Sequence, residues 1–220
     1  MSKTLSGEGF FPDSEFVSRE TWDRLGVYED LVRKWQGSFN LISPNTLPVL
    51  WERHMLDSLQ LYWLQPKPLT WLDMGSGAGF PGLVTAICLR EQGAGWVHLV
   101  ESNNKKAAFL RQVILNTGAR ASVHPMRVEA KTPELDGVDA ISARALASLT
   151  DLLNYAWPIV QNNPHVEMWF HKGLDYPEEV RSARDHWGFD LIEHHSLAQG
   201  GSAILQISKL SKKNQAVDPS

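Results

Sequence analysis

The segment from Trp71 to Gly82 constrains the fold more than any other part of the chain. It reads W-L-D-M-G-S-G-A-G-F-P-G, in which glycines at positions 75, 77, 79 and 82 follow a short apolar run that ends at Asp73. This pattern predicts a buried strand, a tight turn and then a helix, with Pro81 suited to the first helical turn. Because glycine has no Cβ and adopts positive φ, a ligand can lie directly against the peptide groups of such a turn. We therefore expect the segment to bind a small molecule that contains a nucleoside.

The chain beyond Pro68 alternates short β-rich runs with helical segments. The predicted strands are Leu69–Asp73, Trp96–Glu101, Ala121–His124, Val138–Ala143, Val166–His171, Phe189–His195 and Ala203–Lys209. The predicted helices are Pro81–Glu91, Lys105–Asn116, Leu149–Tyr155 and Pro177–His186. Such alternation is typical of a mostly parallel sheet that is covered by helices on both faces. Only the turn Leu197–Ser202 separates the last two strands, so these two should form an antiparallel hairpin at one edge.

The first part of the chain is predicted to be helical. From Glu20 onward, apolar residues recur at spacings of three and four, which predicts an amphipathic helix that ends near Gly37. Thr46 and Pro48 have the residue types of a helix start, and they predict a second helix that reaches Leu64. The polar stretch over residues 211–220 is expected to be disordered. We therefore divide the chain into an N-terminal helical extension over residues 1–67 that packs on the core, an α/β domain over 68–210 and a tail over 211–220.

Composition limits the class of protein. With 220 residues, of which 43% are hydrophobic, the chain can bury one sizeable core. Its net charge of -4 excludes attraction of nucleic acid by the field of the whole molecule, so an RNA partner would have to meet a local basic patch. The single cysteine, Cys88, excludes an intrachain disulfide, and no apolar stretch approaches the roughly 20 residues of a membrane span. We expect a cytoplasmic monomer with no membrane partner.

Two ligand classes fit the glycine turn. From Gly77 onward the turn also satisfies G-x-G-x-x-G, and with Glu101 on a ribose this would describe a dinucleotide site. Asp73, however, would repel a pyrophosphate and attract an ammonium or sulfonium group. The dinucleotide fold also does not require the antiparallel hairpin. S-adenosyl-L-methionine, which has an amino acid end, a positive sulfur and an adenosine ribose, therefore fits the turn better.

Several separated motifs resemble the bacterial glucose-inhibited division protein B family, the guanine-N7 methyltransferases of small-subunit ribosomal RNA. The matching stretches are N-L-I-S at Asn40–Ser43, R-H-M-L-D-S-L at Arg53–Leu59, D-M-G-S-G-A-G-F-P-G at Asp73–Gly82, V-E-S-N-N-K-K-A-A-F-L at Val100–Leu110, R-V-E at Arg127–Glu129, S-A-R-A-L-A-S-L at Ser142–Leu149 and H-K-G at His171–Gly173. The glycine motif occurs in many methyltransferases, whereas R-H-x-L-D-S together with S-A-R-A is specific to this family. The resemblance implies a Rossmann-like class I S-adenosylmethionine-dependent methyltransferase fold with a seven-stranded, mostly parallel sheet. It also implies methylation of N7 of a specific guanine in 16S ribosomal RNA.

The resemblance further implies the residues of a cofactor site. These are Gly75, Ser76, Gly77, Phe80, Glu101, Val128, Glu129 and Arg144. The carboxylate of Glu101 can accept hydrogen bonds from both hydroxyls of a ribose, which gives that assignment a physical basis of its own. Val128 and Glu129 would lie at the adenine. Arg144 ends an apolar strand, where a buried guanidinium needs an anion, and the sequence leaves open whether this is the cofactor or a substrate phosphate.

No catalytic base is expected for such a reaction. Guanine N7 carries a lone pair in the ring plane and no proton, so transfer requires alignment of N7, methyl carbon and sulfur rather than removal of a proton. The candidate substrate contacts are His54, Asp57, Arg144 and Lys172. His54 and Asp57 lie three residues apart on one predicted helical face, so an alternative is that they pair with each other in a structural role. No pair of histidines has the spacing of a helical zinc site, and we expect no metal ion.

The expected partner is small-subunit ribosomal RNA or a ribosomal particle. Candidate contacts to the RNA are Arg33, Lys34, Arg53, His54, Lys105, Lys106, Arg111 and Lys172, with Lys212 and Lys213 near the end of the sequence. The sequence leaves three other functions open: a methyltransferase with a small-molecule substrate, a noncatalytic ribosome-assembly factor and an oxidoreductase.

Overall fold

The central sheet is built around β1 (Thr70–Met74), whose apolar side chains are buried on both faces. The computed structural model describes residues 17–131, 135, 137–198 and 200–213. The other strands of this part of the chain are β2 (Trp96–Val100), β3 (Ala121–His124), β4 (Ala140–Arg144), β5 (Glu167–Lys172), β6 (Trp187–His195) and β7 (Ala203–Lys212). They form a seven-stranded sheet in the order β3-β2-β1-β4-β5-β7-β6. The first five strands are parallel, and β7 runs antiparallel to both β5 and β6.

Helices cover both faces of this sheet. They are α1 (Arg19–Gln36), α2 (Asp57–Leu64), α3 (Gly82–Gln92), α4 (Asn104–Thr117), α5 (Val128–Lys131), α6 (Leu149–Asn162) and α7 (Tyr176–His186). Trp71 of β1 packs into the core that contains α1 to α4, whereas Leu72 packs into the core that contains α6 and α7. Burial on both faces is what a central strand of a parallel sheet requires. The predicted fold class, a mostly parallel seven-stranded sheet with an antiparallel C-terminal hairpin, is confirmed.

Helix α1 packs across α3 and α4. Ser18 caps its N-terminus, because the Ser18 hydroxyl accepts a hydrogen bond from the Thr21 N–H at 3.2 Å. The side chains of Leu25, Tyr28 and Val32 are fully buried along one face of the helix. The helix ends at Gln36, next to the predicted end at Gly37.

The start of the predicted second helix was wrong. Thr46 does not cap a helix, since its hydroxyl donates to the carbonyl of Ser43 at 2.9 Å. A wide π-helical turn over Trp51–Leu56 instead precedes α2. Such turns are rare and frequently occur at functional sites. This one carries His54 and leads directly into Asp57.

Two further predictions need correction. The helix predicted to end at Tyr155 continues as α6 to Asn162 with Pro158 inside it, because Ile159 and Val160 extend its buried face and offset the hydrogen bond that proline lacks. Ser211 and Lys212, which the sequence assigns to the tail, belong to β7 and pair with β6. The predicted boundary at residue 67 stays a prediction, and residues 1–16 and 214–220 lie outside the described part of the chain.

Candidate active site

A cavity of about 490 Å³ opens at the carboxyl ends of β1, β2 and β4. This edge is where open α/β sheets bind their ligands, because the loops that follow parallel strands meet there. The residues that line the cavity include all the predicted cofactor contacts, Gly75, Ser76, Gly77, Phe80, Glu101, Val128, Glu129 and Arg144. His54, a predicted substrate contact, lies in the same wall. The fold thus brings together residues from separate parts of the sequence.

The turn after β1 keeps its backbone open to this cavity. Gly75, Gly77 and Gly79 have φ angles of +65°, +58° and +103°, in the region that side chains disfavour. A Cβ added to Gly75 would lie 2.5 Å from Cδ1 of Leu146, which also lines the cavity. Position 75 therefore depends on glycine both for its backbone conformation and for the close approach of Leu146.

Asp73 does not line the cavity, and the expectation that it meets a cationic ligand there is wrong. The residue is 1% exposed, and its Oδ1 accepts a hydrogen bond from the Ser142 hydroxyl at 2.6 Å. Burial raises the pKa of this carboxyl group to about 6. A Cβ on Gly82 would lie 2.6 Å from Oδ2, so the carboxyl group packs against the first residue of α3. The Asp73 side chain of β1 therefore contacts Ser142 of β4 and Gly82 of α3.

Glu101 follows β2 directly and faces the glycine turn. Its Oε2 accepts a hydrogen bond from the Gly77 N–H at 2.8 Å, and its Oε1 accepts one from the Asn103 N–H at 2.6 Å. These bonds hold the carboxylate in place at the cavity wall. Each carboxylate oxygen retains a lone pair for a further donor, such as a ribose hydroxyl.

Phe80 connects the cavity to the N-terminal helices. Its ring stacks on the rings of Tyr28 and His54, with centroid separations of 5.1 Å in both cases. The guanidinium carbon of Arg144 lies 5.2 Å from the centroid of the same ring. The hydroxyl of the buried Tyr28 donates to the carbonyl of Ala78 at 2.6 Å. Residues of α1 and of the π-helical turn therefore hold the glycine turn in position.

Arg144 is a partly buried cation, with a side chain that is 15% exposed, and its partners come from the π-helical turn and α2. Its Nη1 donates to Oδ2 of Asp57 at 3.2 Å, and its Nη2 donates to Nδ1 of His54. The Ser196 hydroxyl donates to Oδ1 of Asp57 at 2.8 Å, so Asp57 also holds the hairpin turn. Burial lowers the pKa of Arg144, and the Asp57 carboxylate opposes that shift. His54 and Asp57 thus both bind Arg144, in place of the alternative that they pair with each other.

His54 is a neutral acceptor in this arrangement. Burial, and then the positive charge of Arg144, lower its pKa to about 3. Because Nδ1 accepts from Arg144, the ring proton lies on Nε2, which donates to the Thr46 hydroxyl at 2.9 Å. The tautomer and the orientation of the ring are therefore fixed by its two partners.

A second cavity of about 320 Å³ adjoins the first. Both are lined by His54, Arg144 and Ala145. Asp57 and Lys172, the remaining predicted substrate contacts, line the second one. Ala145 has a φ of +53°, a conformation that is strained for alanine and tends to occur at ligand sites.

Sequence reasoning missed part of both walls. The first cavity is also lined by Leu41, Ile42, Ser43, Thr46, Ser102, Met126, Arg127, Ala145, Leu146 and Tyr155. The N-L-I-S motif was the available signal for the first three of these residues. Lys106, which the sequence assigned to RNA phosphates, lines this cavity as well. The second cavity adds His171 and Glu179, of which only His171 lies in a motif, H-K-G.

The predicted phosphate contacts are not equally available. Arg33 pairs with Glu29 at 2.6 Å, and Lys172 pairs with Glu179 at 2.6 Å. Lys105 is exposed above the ring of Phe39, at 5.2 Å from its centroid. Lys34 and Arg111 are exposed as well. Lys34, Lys105 and Arg111 therefore present charge to solvent, whereas Lys172 serves a cavity.

Cys88 is free and buried, and burial raises the pKa of its thiol. Within residues 17–131, 135, 137–198 and 200–213, no three His, Cys, Asp or Glu side chains are grouped to hold a metal ion. Over the same ranges, no helix combines the length and the apolar character that crossing a bilayer demands.

Comparison with known proteins identifies the family. The profile of the GidB family, described as rRNA small subunit methyltransferase G, matches residues 22–207. The chain belongs to the GidB family. The membership expected from the separated motifs is confirmed, and with it the assignment of the chain as a methyltransferase enzyme.

Relatives in the GidB family match nearly the whole chain. Ribosomal RNA small subunit methyltransferase G of Rhizobium meliloti (strain 1021) is 54% identical over 201 residues, which cover 90% of this chain and 94% of the relative. The protein of the same name from Sinorhizobium fredii (strain NBRC 101917 / NGR234) is 52% identical over 200 residues, with coverage of 90% and 94%. The crystal structure of ribosomal protein L11 methylase from Lactobacillus delbrueckii subsp. bulgaricus superposes with a TM-score of 0.52 at 23% identity, covering 70% of this chain and 76% of that one. At this identity the likeness shows the fold alone.

Proposed function

We propose that this member of the GidB family transfers the methyl group of S-adenosyl-L-methionine to N7 of a guanine in small-subunit ribosomal RNA. The observation that carries the proposal is the pair of adjoining cavities, which share His54, Arg144 and Ala145. Transfer between two bound molecules requires two sites that meet, so that the reacting atoms are held in line. The names of the Rhizobium and Sinorhizobium relatives support ribosomal RNA of the small subunit as the substrate.

The residues of the first cavity fit S-adenosyl-L-methionine. The glycine turn offers peptide groups without side chains at Gly75 and Gly77, where the amino acid end of the cofactor would lie. Glu101 would accept from the ribose hydroxyls with the lone pairs that its backbone partners leave free. Val128 and Glu129, at the first turn of α5, would lie beside the adenine. Ser76 and Phe80 complete the wall around the turn.

The chemistry of the acceptor explains why the site needs no general base. Bound S-adenosyl-L-methionine supplies a methyl group on a positively charged sulfur. Guanine N7 attacks with a lone pair and loses no proton, so the protein has only to orient the base and exclude water. As positive charge passes to the purine, the Asp57 carboxylate and nearby carbonyl groups would stabilise the product.

Arg144 has the central positioning role in this proposal. It lies in both cavities, and its partners Asp57 and His54 hold it from the N-terminal side. His54, Asp57 and Lys172 would contact the substrate from the second cavity. Because the folded protein keeps His54 neutral, the ring would act there as a hydrogen-bonding and stacking group and not as a cation.

Exposed cations would position the RNA. Lys34, Lys105 and Arg111 lie on α1 and α4, which pack against each other, and can bind phosphates without reading sequence. Their number predicts a modest salt dependence of RNA binding, with each phosphate contact adding about 0.7 to 0.9 to the logarithmic slope. A ribosomal substrate agrees with the cytoplasmic location expected from the sequence.

The test is transfer of labelled methyl from S-adenosyl-L-methionine to small-subunit RNA, assembly particles and mature subunits from cells that lack this protein. We expect label at guanine N7, detected by chemical cleavage specific for 7-methylguanosine. Gly75→Asp and Arg144→Ala should each abolish the label, with thermal unfolding used to show that both variants fold. If the wild-type protein binds the cofactor but labels none of these RNA forms, the proposal is wrong and the acceptor is a small molecule.

A further inference from the structure

The second cavity holds a pair of opposite charges of which the sequence pointed to only one. Nζ of Lys172 lies 2.6 Å from Oε2 of Glu179 and donates to the carbonyl of Ala147 at 2.9 Å. Oε2 of Glu179 also accepts from the Leu149 N–H at 2.6 Å, at the start of α6. The Lys172 side chain is 9% exposed and that of Glu179 is 28% exposed. The pair is therefore held firmly, with the carboxylate as its more accessible member.

Each partner keeps hydrogen-bonding capacity. An ammonium group has three N–H donors, and Ala147 and Glu179 take two of those of Lys172. Oε1 of Glu179 accepts no hydrogen bond from any residue in the described part of the chain. A spare donor and a spare acceptor thus occupy neighbouring groups in the cavity wall.

His171 lines the same cavity, and one of its ring nitrogens has no hydrogen-bond partner among the described residues. Its Nε2 donates to the carbonyl of Asp57 at 3.1 Å, so Nδ1 carries a bare lone pair. Burial lowers the pKa of the ring and keeps it neutral. Nδ1 is buried and has no hydrogen-bond partner among the described residues. The ring therefore lines the cavity as a neutral group, while its unpaired nitrogen lies beneath the surface.

We propose that the second cavity receives the target guanine and that Glu179, together with Lys172, determines the specificity for that base; this inference rests on the proposed function. Guanine presents the acceptor O6 beside two donors, N1–H and the N2 amine. Lys172 donates to O6, and Oε1 of Glu179 accepts from N1–H or from the amine. Adenine presents the reverse order, an amine at C6 and a bare N1. Its amine would face the Lys172 ammonium, donor against donor, and its N1 would face the Glu179 carboxylate, acceptor against acceptor.

Asp57, the other carboxylate of the cavity, is less suited to this role, because each of its oxygens already accepts a hydrogen bond. Its Oδ2 accepts from Arg144 and its Oδ1 accepts from Ser196. Withdrawing either oxygen would leave the partly buried Arg144 guanidinium or Ser196 hydroxyl without its partner, which is costly. Glu179 can engage a base through Oε1 while Oε2 keeps its existing bonds.

The first experiment compares Glu179→Gln with Glu178→Gln. A glutamine at 179 keeps an oxygen for the Leu149 N–H but loses the negative charge, whereas Glu178 is an exposed neighbour that pairs with Arg181. Both variants are assayed for methyl transfer to small-subunit particles from cells that lack this protein, at saturating S-adenosyl-L-methionine. We expect kcat/KM for the particle to fall roughly 10- to 100-fold for Glu179→Gln, the usual loss for a hydrogen bond to a charged group. Glu178→Gln should match the wild type, and cofactor affinity should stay the same in both.

The second experiment measures base preference without turnover. Guanosine and adenosine monophosphates are titrated into the wild-type protein loaded with S-adenosylhomocysteine, with NMR shifts as the readout. Guanosine monophosphate should bind at least about tenfold more tightly, and Glu179→Gln should remove the preference. The comparison within the wild type needs no variant, so it stands even if Glu179→Gln folds poorly.

Two outcomes would overturn the inference. One is transfer by folded Glu179→Gln at the rate of Glu178→Gln, and the other is equal binding of the two nucleotides by the wild type. If instead the wild type labels no RNA but prefers guanosine monophosphate through Glu179, the pocket stands and the proposed RNA methylation fails.

Discussion

Gly75→Ala tests two requirements for glycine at position 75, the positive φ of the backbone and the close approach of Leu146 in the cavity wall. Gly75 has a φ of +65°, and Gly93, at the end of α3, has a φ of +66°. An L-residue in this region costs about 1–2 kcal/mol, so Gly75→Ala and Gly93→Ala should each lose that much stability. For a chain of this size we expect Tm to fall by roughly 2–8 °C in both variants. Scanning calorimetry of the two proteins without ligand measures this shared cost.

The two variants should differ in cofactor binding. A Cβ at Gly93 meets nothing within 4 Å, whereas a Cβ at Gly75 would lie 2.5 Å from Leu146 in the cavity wall. Relief of that overlap must move Leu146 or the turn itself, so we expect Gly75→Ala to weaken S-adenosyl-L-methionine by at least about tenfold, or 1.4 kcal/mol. Isothermal titration gives the two dissociation constants. Equal affinity in Gly75→Ala and Gly93→Ala would refute the contact of the turn with the cofactor, and an unchanged Tm of Gly93→Ala would refute the argument from φ.

Three other perturbations test the supports of the site. Tyr28→Phe leaves a buried carbonyl unpaired and should lower the free energy of unfolding by about 1–3 kcal/mol in urea, more than Tyr62→Phe, whose hydroxyl bonds an exposed amide side chain. Asp57→Ala leaves the Arg144 guanidinium without its carboxylate and should cost about 3–5 kcal/mol, most of which Arg144→Met should restore in the double variant. The pKa of His54 is about 3 in the folded protein and 6.5 in the unfolded chain. As the pH falls below 6.5, the unfolded chain therefore binds a proton that the folded protein does not, and the stability that neutral His54 provides is lost. Between pH 7.5 and pH 5 the wild type should lose about 2 kcal/mol relative to His54→Gln, measured by urea unfolding at both pH values.

Each of these predictions has a result that would contradict it. Equal costs of Tyr28→Phe and Tyr62→Phe would show that the bond to the glycine turn does not support the fold. A double variant as unstable as Asp57→Ala alone would show that the loss did not come from the unpaired charge of Arg144. Parallel pH profiles of the wild type and His54→Gln would show that His54 titrates as a solvated group.

Local patterns made the scaffold predictable. The apolar runs of the strands are short and bounded by turn residues, and the helices between them show a clear period, so the βα alternation followed from neighbouring residues alone. The glycine turn was equally clear because its geometry depends on a few consecutive positions. By contrast, α6 continues through Pro158 because its face finds a core to pack against, and no local rule supplies that information.

The chemistry of the site depends on contacts over long distances in the sequence. Asp57 and Arg144 are 87 positions apart, so nothing in the sequence indicated their contact. The close spacing of His54 and Asp57 suggested that these two residues pair with each other, whereas in the fold both of them bind Arg144. Asp73 looked available at a strand end, but the packing of α3 buries it. Glu179 follows a proline at the start of a polar helix, where an exposed acid is ordinary. The short connection from β5 to α7 brings that carboxylate back to Lys172, and no motif in the sequence marks this contact.

The place of β7 has a consequence for how the chain matures. β7 is synthesised after the other strands of the described residues, yet it lies between β5 and β6, and the turn before it supplies Ser196 to the second cavity. A nascent chain emerges from its N-terminus, so the glycine turn and the parallel strands can assemble while one edge of β5 still lacks its neighbour. The pocket beside Arg144 is completed only after the hairpin of β6 and β7 has left the ribosome. Translation therefore completes the two halves of the site in sequence, the turn first and the neighbouring pocket last.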